Sequence, residues 1–198
     1  MTTVVAGVAI VGTGIGSNRP TFTLDTATTA TVGVTAANIA IQNVVFSANF
    51  ADIVSVFTLV AAKYFTVNKC DLVATATNMN FLHVIDTGTV TADADGLSVT
   101  NCKWLEPDAA TLAFALVDGT NAGWEINDNV VVNGAATADV AAMFTCATGK
   151  ILTQATCLRN NVQITGNAAS VAGLWLTTDA TTHTGIMAVV TPWRWVLR

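Results

Sequence analysis

One phrase recurs along this chain, and its recurrence limits the possible folds more than any other property of the sequence. FTVNKCDL, Phe65 to Leu72, returns as LSVTNCKW, Leu97 to Trp104. The shared pattern, apolar-x-apolar-polar-x-x-x-apolar, also fits IAIQNVVF from Ile39, WEINDNVV from Trp124 and ILTQATCL from Ile151. Successive copies start 26, 32, 27 and 27 residues apart. A near-constant period of this length marks a solenoid, whose units cannot bury their apolar faces alone and therefore stack on one another. The first apolar slot of each copy, Ile39, Phe65, Leu97, Trp124 and Ile151, is expected to form one inward column. The sixth slot is expected to stack Val44, Cys70, Cys102, Asn129 and Thr156, with the repeated cysteine as a small buried filler.

Between the phrases lies a second apolar strand: IVSVFTLV at 53–60, FLHVI at 81–85, LAFALV at 112–117, VAAMFT at 140–145 and VAGLWL at 171–176. Units so short and so rich in β-branched residues leave no room for helices, and Asn, Asp, Gly and Thr punctuate them as turns. The expected fold is all-β: a single-domain right-handed parallel β-helix of about seven turns, each rising about 4.8 Å. It occupies residues 1–190, with recognisable repeats from about 7 to 176, followed by a C-terminal capping or interface tail at 191–198. Gln42-Asn43, Asn68-Lys69, Thr100-Asn101 and Asn127-Asp128 are read as a tight bend, because Asn and Asp tolerate the left-handed conformation it needs.

Composition agrees with a packed β core: 52% of the 198 residues are hydrophobic and 11% charged, a balance that excludes disorder. The longest apolar run, Ile53 to Ala62, is too short to span a bilayer, so no membrane role is expected. MTTVVAGVAIVG lacks a basic leader before its apolar stretch and reads as a first strand, not a signal peptide. Synthesis in the cytoplasm with reduced thiols follows, although stacking would bring Cys70 and Cys102 within bridging range. Cys146 and Cys157 show no metal-ligand spacing with the other cysteines or with His83 and His183. Net charge is −5, and Arg19, Lys63, Lys69, Lys103, Lys150, Arg159, Arg194 and Arg198 form no basic stripe along the sequence, which argues against nucleic-acid binding.

The opening GVAIVGTGIGSNRPTFTLDTATTATVGVTAANIAIQNVVF, with glycines at Gly12, Gly14 and Gly16, resembles the first turns of a pectate-lyase-like right-handed β-helix. The continuation ANFADIVSVFTLVAAKYFTVNKCDL resembles β-helical repeat proteins of tailed bacteriophages. The likeness covers roughly residues 7 to 167 and speaks for architecture more than for activity.

Motifs for chemistry are sparse. GTGIG lacks the third glycine of a dinucleotide fingerprint, that place being Ser17, and no helix pattern follows. The resemblance raises clustered calcium-binding aspartates or paired catalytic acids, but the thirteen acidic residues are dispersed. The inserted loop DTGTVTADADGLS carries Asp86, Asp93 and Asp95 yet lacks the terminal Glu of a calcium loop. No catalytic, cofactor or metal residues are therefore expected. The tail TPWRWVLR differs: Trp193, Arg194, Trp195 and Arg198 are residue types enriched at interface hot spots. The expected role is structural, a homotrimeric decoration or cement protein on a bacteriophage capsid, with itself and the major capsid protein or another virion protein as partners. A small tailspike-like polysaccharide depolymerase is the alternative, as is a glycan-binding module in which exposed Trp104, Trp124 or Trp175 would meet host surface sugars, with Trp124, in an inward first slot, expected to be buried.

Overall fold

In the computed structural model the described residues are 1–3, 5–76, 78–106, 108, 110–134, 143–164, 175–177 and 183–190. They form a parallel β-solenoid with almost no helix, a single 3-10 turn at Gly16–Asn18 among them. Equivalent strands of successive turns stack in parallel. The first sheet holds Thr2–Thr3, Val32–Val34, Ile53–Leu59, Phe81–Thr87, Ala115–Val117, Phe144–Cys146 and Trp175–Thr177. The second stack includes Ala40–Gln42, Thr66–Asn68, Ser98–Thr100 and Glu125–Asn127; the third includes Val45–Ala48, Asp71–Ala74, Lys103–Glu106 and Val130–Asn133. Thr156–Ile164 runs through the bend between the second and third stacks and pairs with both.

Five complete turns run from Val32 to Ile164, and strands before and after them add layers to the sheets. The expectation of about seven turns assumed a uniform 27-residue unit. In the observed register Ala40 pairs with Thr66, Thr66 with Ser98, Ser98 with Glu125 and Glu125 with Thr156, so two turns are longer than that unit.

That register confirms four members of the first inward column and corrects the fifth. Ile39, Phe65, Leu97 and Trp124 are buried, each preceding a paired strand residue. Glu125 pairs with Thr156, so the residue level with Trp124 is Ala155, not Ile151. Ile151 instead belongs beside Thr120 in a short additional pairing, where Asn121 meets Leu152. The true fifth phrase is ATCLRNNV, Ala155 to Val162, and its bend residue Arg159 is left-handed like Asn43, Lys69, Asn101 and Asp128. A second left-handed column precedes the first slot of each turn: Gly7, Asn38, Tyr64, Gly96, Gly123, Gln154 and Gly185.

The sixth-slot column shifts accordingly to Val44, Cys70, Cys102, Asn129 and Asn160, all buried. Thr156 is not in it. Here side chains of one turn satisfy the backbone of the previous one: Cys102 N–H donates to Asn129 Oδ1 at 2.9 Å and Asn129 N–H to Asn160 Oδ1 at 2.9 Å. Cys70 N–H points at the Cys102 sulfur at 3.5 Å, and both thiols are free. Buried polar groups are thereby paired along the axis, which is what a core of bent backbone requires. Phe22, Phe46, Phe57 and Phe65 pack in sequence through the remaining core, with ring centroids 5.7, 4.9 and 5.3 Å apart.

Candidate functional site

Two surface regions gather side chains capable of binding or chemistry. The first lies on the bend between the second and third stacks. Gly12 and Gly14 allow the first-turn loop to fold tightly over Asn43, whose Nδ2 donates to both of their carbonyls at 2.7 and 2.8 Å. At either position a Cβ would collide with backbone. The loop brings Arg19 beside Asp71, two turns further along, in an ion pair. Arg19 also donates to the carbonyls of Gly16 at 3.2 Å and Lys69 at 3.3 Å. Lys69 and Lys103 rise from the next turns, and with Ile15 and Asn101 they border a groove of about 310 Å3. A chain whose cations are dispersed in sequence thus assembles three of them in space. Solenoid stacking is the reason: Lys103 pairs in register with Asp71, which the loop has joined to Arg19.

The second region is the outer side of the first sheet. Thr31, Ser55 and Thr58 form a hydroxyl cluster with oxygen separations of 3.1 Å, beside Thr28, Thr29 and Val54 around a depression of about 280 Å3. One strand further, His83 is level with Ser55 and Asp86 with Thr58. Burial, helped by the negative charge of Asp118, raises Asp86 to about 6. His83 is buried, which lowers it to about 4, and its Nδ1 lies 2.9 Å from the Ala113 carbonyl. A neutral imidazole held by a backbone oxygen is a packed residue at neutral pH.

Other candidates have structural duties. Asp93 is buried and accepts from Ala61 N–H at 2.9 Å, while Asp95 accepts from Ala122 N–H at 2.9 Å and faces Lys63 at 3.7 Å. These aspartates reach toward different turns. Among the described residues no group of three or more His, Cys, Asp or Glu side chains is arranged to hold a metal ion. Trp104 and Trp124 are buried, and Trp124 donates to the Ala94 carbonyl at 2.8 Å, so neither can stack on a sugar. The ring of Trp175 and the whole interface set Trp193, Arg194, Trp195 and Arg198 lie outside the residues whose side chains are described.

Sequence reasoning missed Glu106. It is wholly buried at the corner between the third stack and the first sheet, and neither carboxyl oxygen has a side-chain partner. Desolvation raises it to about 9 despite an opposing hydrogen bond from the Phe81 backbone, with Asp108 adding to the rise. Its alternation in KWLE, buried at Trp104 and Glu106, was the available signal.

No family model, curated protein or solved structure matches this chain.

Proposed function

We propose that this protein is a non-enzymatic structural subunit of a bacteriophage virion, a homotrimeric decoration or cement protein seated on the major capsid protein. One observation carries the structural part: four carboxylates tie successive turns of the solenoid together. Asp93 ties to Ala61, Asp95 to Ala122, Asp108 to Asn78 and Asp128 to Arg159, each across 27 to 32 residues of sequence. Acids fixed in this way stiffen a rod and are withdrawn from solution chemistry. The virion setting draws on the resemblance of ANFADIVSVFTLVAAKYFTVNKCDL to β-helical phage proteins. Subunits made in the host cytoplasm would then assemble onto the particle, without contacting nucleic acid or membrane.

Cryo-electron microscopy of particles from a producing host tests this directly. Density for solenoid trimers at symmetry-related positions on the shell is the expected result, and absence of the protein from purified particles overturns it.

A polysaccharide depolymerase is the second reading, favoured by a single feature: Asp86 and Asp118 are neighbouring acids beside the hydroxyl cluster of the first sheet. Release of reducing ends or unsaturated sugars from host surface glycan, abolished by Asp86→Asn, would establish it in place of the structural role.

A further inference from the structure

The bend-side groove has a charge imbalance that the fold itself does not resolve. The chain carries net charge −5, yet three of its eight basic residues line this one groove. Asp71, the acid among the lining residues, is paired with Arg19. Lys69 and Lys103 are exposed, and among the described residues the ion pairs are Arg19–Asp71, Lys63–Asp95 and Arg159–Asp128. Two exposed lysines therefore border the groove beside the paired Arg19, neither of them in an ion pair among the described residues. Such a local field attracts anions against the overall charge of the molecule.

Geometry narrows the choice of anion. Lys103 sits one turn beyond Asp71 in register, and Asp71 follows Lys69 by two residues. The two lysines are therefore offset along the solenoid axis by one strand spacing, about 4.8 Å, and laterally by the bend. The axial and lateral offsets combined put the two lysine backbones on the scale of the roughly 6.6 to 7 Å between alternate residues of an extended polypeptide. Beside them Ile15 is 84% exposed, an apolar wall on an otherwise polar groove. Asn101, also exposed, offers an amide next to Lys103, whereas Asn43 is already engaged with Gly12 and Gly14.

We propose that this groove binds an extended acidic segment of a partner protein, with carboxylates at alternate positions on Lys69 and Lys103 and an apolar side chain against Ile15. Arg19 shapes the wall without contributing its charge, because Asp71 holds it. The site goes beyond the virion reading and stands independently of it.

Fluorescence anisotropy of the full chain with a labelled peptide of about eight residues, glutamates alternating with leucine and glycine, tests the proposal. Wild-type protein binds it, and affinity falls about tenfold or more between roughly 50 and 200 mM NaCl as screening grows. Lys69→Glu with Lys103→Glu weakens binding at least about tenfold. Lys69→Gln with Lys103→Gln, which adds no repulsion to endanger folding, weakens it by a smaller factor. Lys150→Glu, outside the groove, leaves binding within about twofold, and a peptide with serine in place of glutamate does not bind. Wild-type affinity in both lysine double variants overturns the site. So does tighter binding of a uronic-acid oligosaccharide than of the peptide, or displacement of the peptide by equimolar inorganic phosphate, since either assigns the groove to another anion.

Discussion

At the residue scale, the least comfortable group in the molecule is the Glu106 carboxyl. Its folded-state value of about 9 lies above the ordinary carboxylate value of 4.5, so the folded protein retains a proton that the unfolded chain releases. Stability from this group is complete below about 4.5 and is lost as pH rises toward about 9, with a slope that can approach about 1.4 kcal/mol per pH unit. Glu106→Gln keeps the shape and removes the ionisation. Melting temperature at pH 8 should rise in this variant, and the decline between pH 5 and pH 8 should flatten; a lower melting temperature at both would show that the carboxylate is ionised and paired. Gly96 is sensitive for a different reason. Its φ of +71° is left-handed, and a Cβ there would lie 2.4 Å from the Tyr64 ring. Gly96→Ala should cost about 1 to 3 kcal/mol in denaturant unfolding. A neutral result would mean that Tyr64, which is exposed, swings aside freely.

At the element scale, strand stacking decides what each substitution removes. Phe65 is fully buried in the first-slot column and packs edge-on against Phe57. Phe65→Ala should cost about 3 to 5 kcal/mol; a loss below about 1 kcal/mol would place the ring outside the core. In the sixth-slot column the polar members act across turns. Asn160 Oδ1 accepts from the Asn129 backbone at 2.9 Å and its Nδ2 donates to the Ile126 carbonyl at 2.7 Å. Asn160→Ala should therefore strand buried groups of the preceding turn, costing about 1 to 3 kcal/mol. The same substitution at Thr156, the residue the 27-residue spacing had placed there, should cost measurably less. Equal losses at the two positions would contradict the observed register.

At the scale of the whole molecule, a solenoid is stabilised by contacts between neighbouring turns, so protection should follow the number of neighbours. Thr66–Asn68 and Ser98–Thr100 pair on both sides, whereas among the described residues Thr2–Thr3 pairs on one side, with Val32–Val34. Hydrogen exchange followed by mass spectrometry should show the slowest amides in those central strands and the fastest in Thr2–Thr3. Uniform protection along the chain would mean that the solenoid opens only as one cooperative unit.

The sequence by itself determined the class of fold, because a near-constant period and the same apolar pattern recur in the first four copies, each reporting the unit independently. It also determined the bend: Asn43, Asn101 and Asp128 belong to residue types that tolerate a positive φ, and all three adopt it. It misplaced the last register because Ile151 and Leu152 imitate a first slot, while the residue that actually fills it is Ala155, small enough to escape an apolar pattern. The left-handed column at Gly96, Gly123 and Gly185 carried the corrective signal, obscured at that turn by Gln154. Only the tertiary structure decided the surface sites. Arg19, Lys69 and Lys103 meet because the first-turn loop folds over the bend and stacked turns bring residues from different repeats to adjacent heights. Charge on an outward position is unconstrained by the core, so no periodicity records it, and its meaning appears only when the turns are laid on one another.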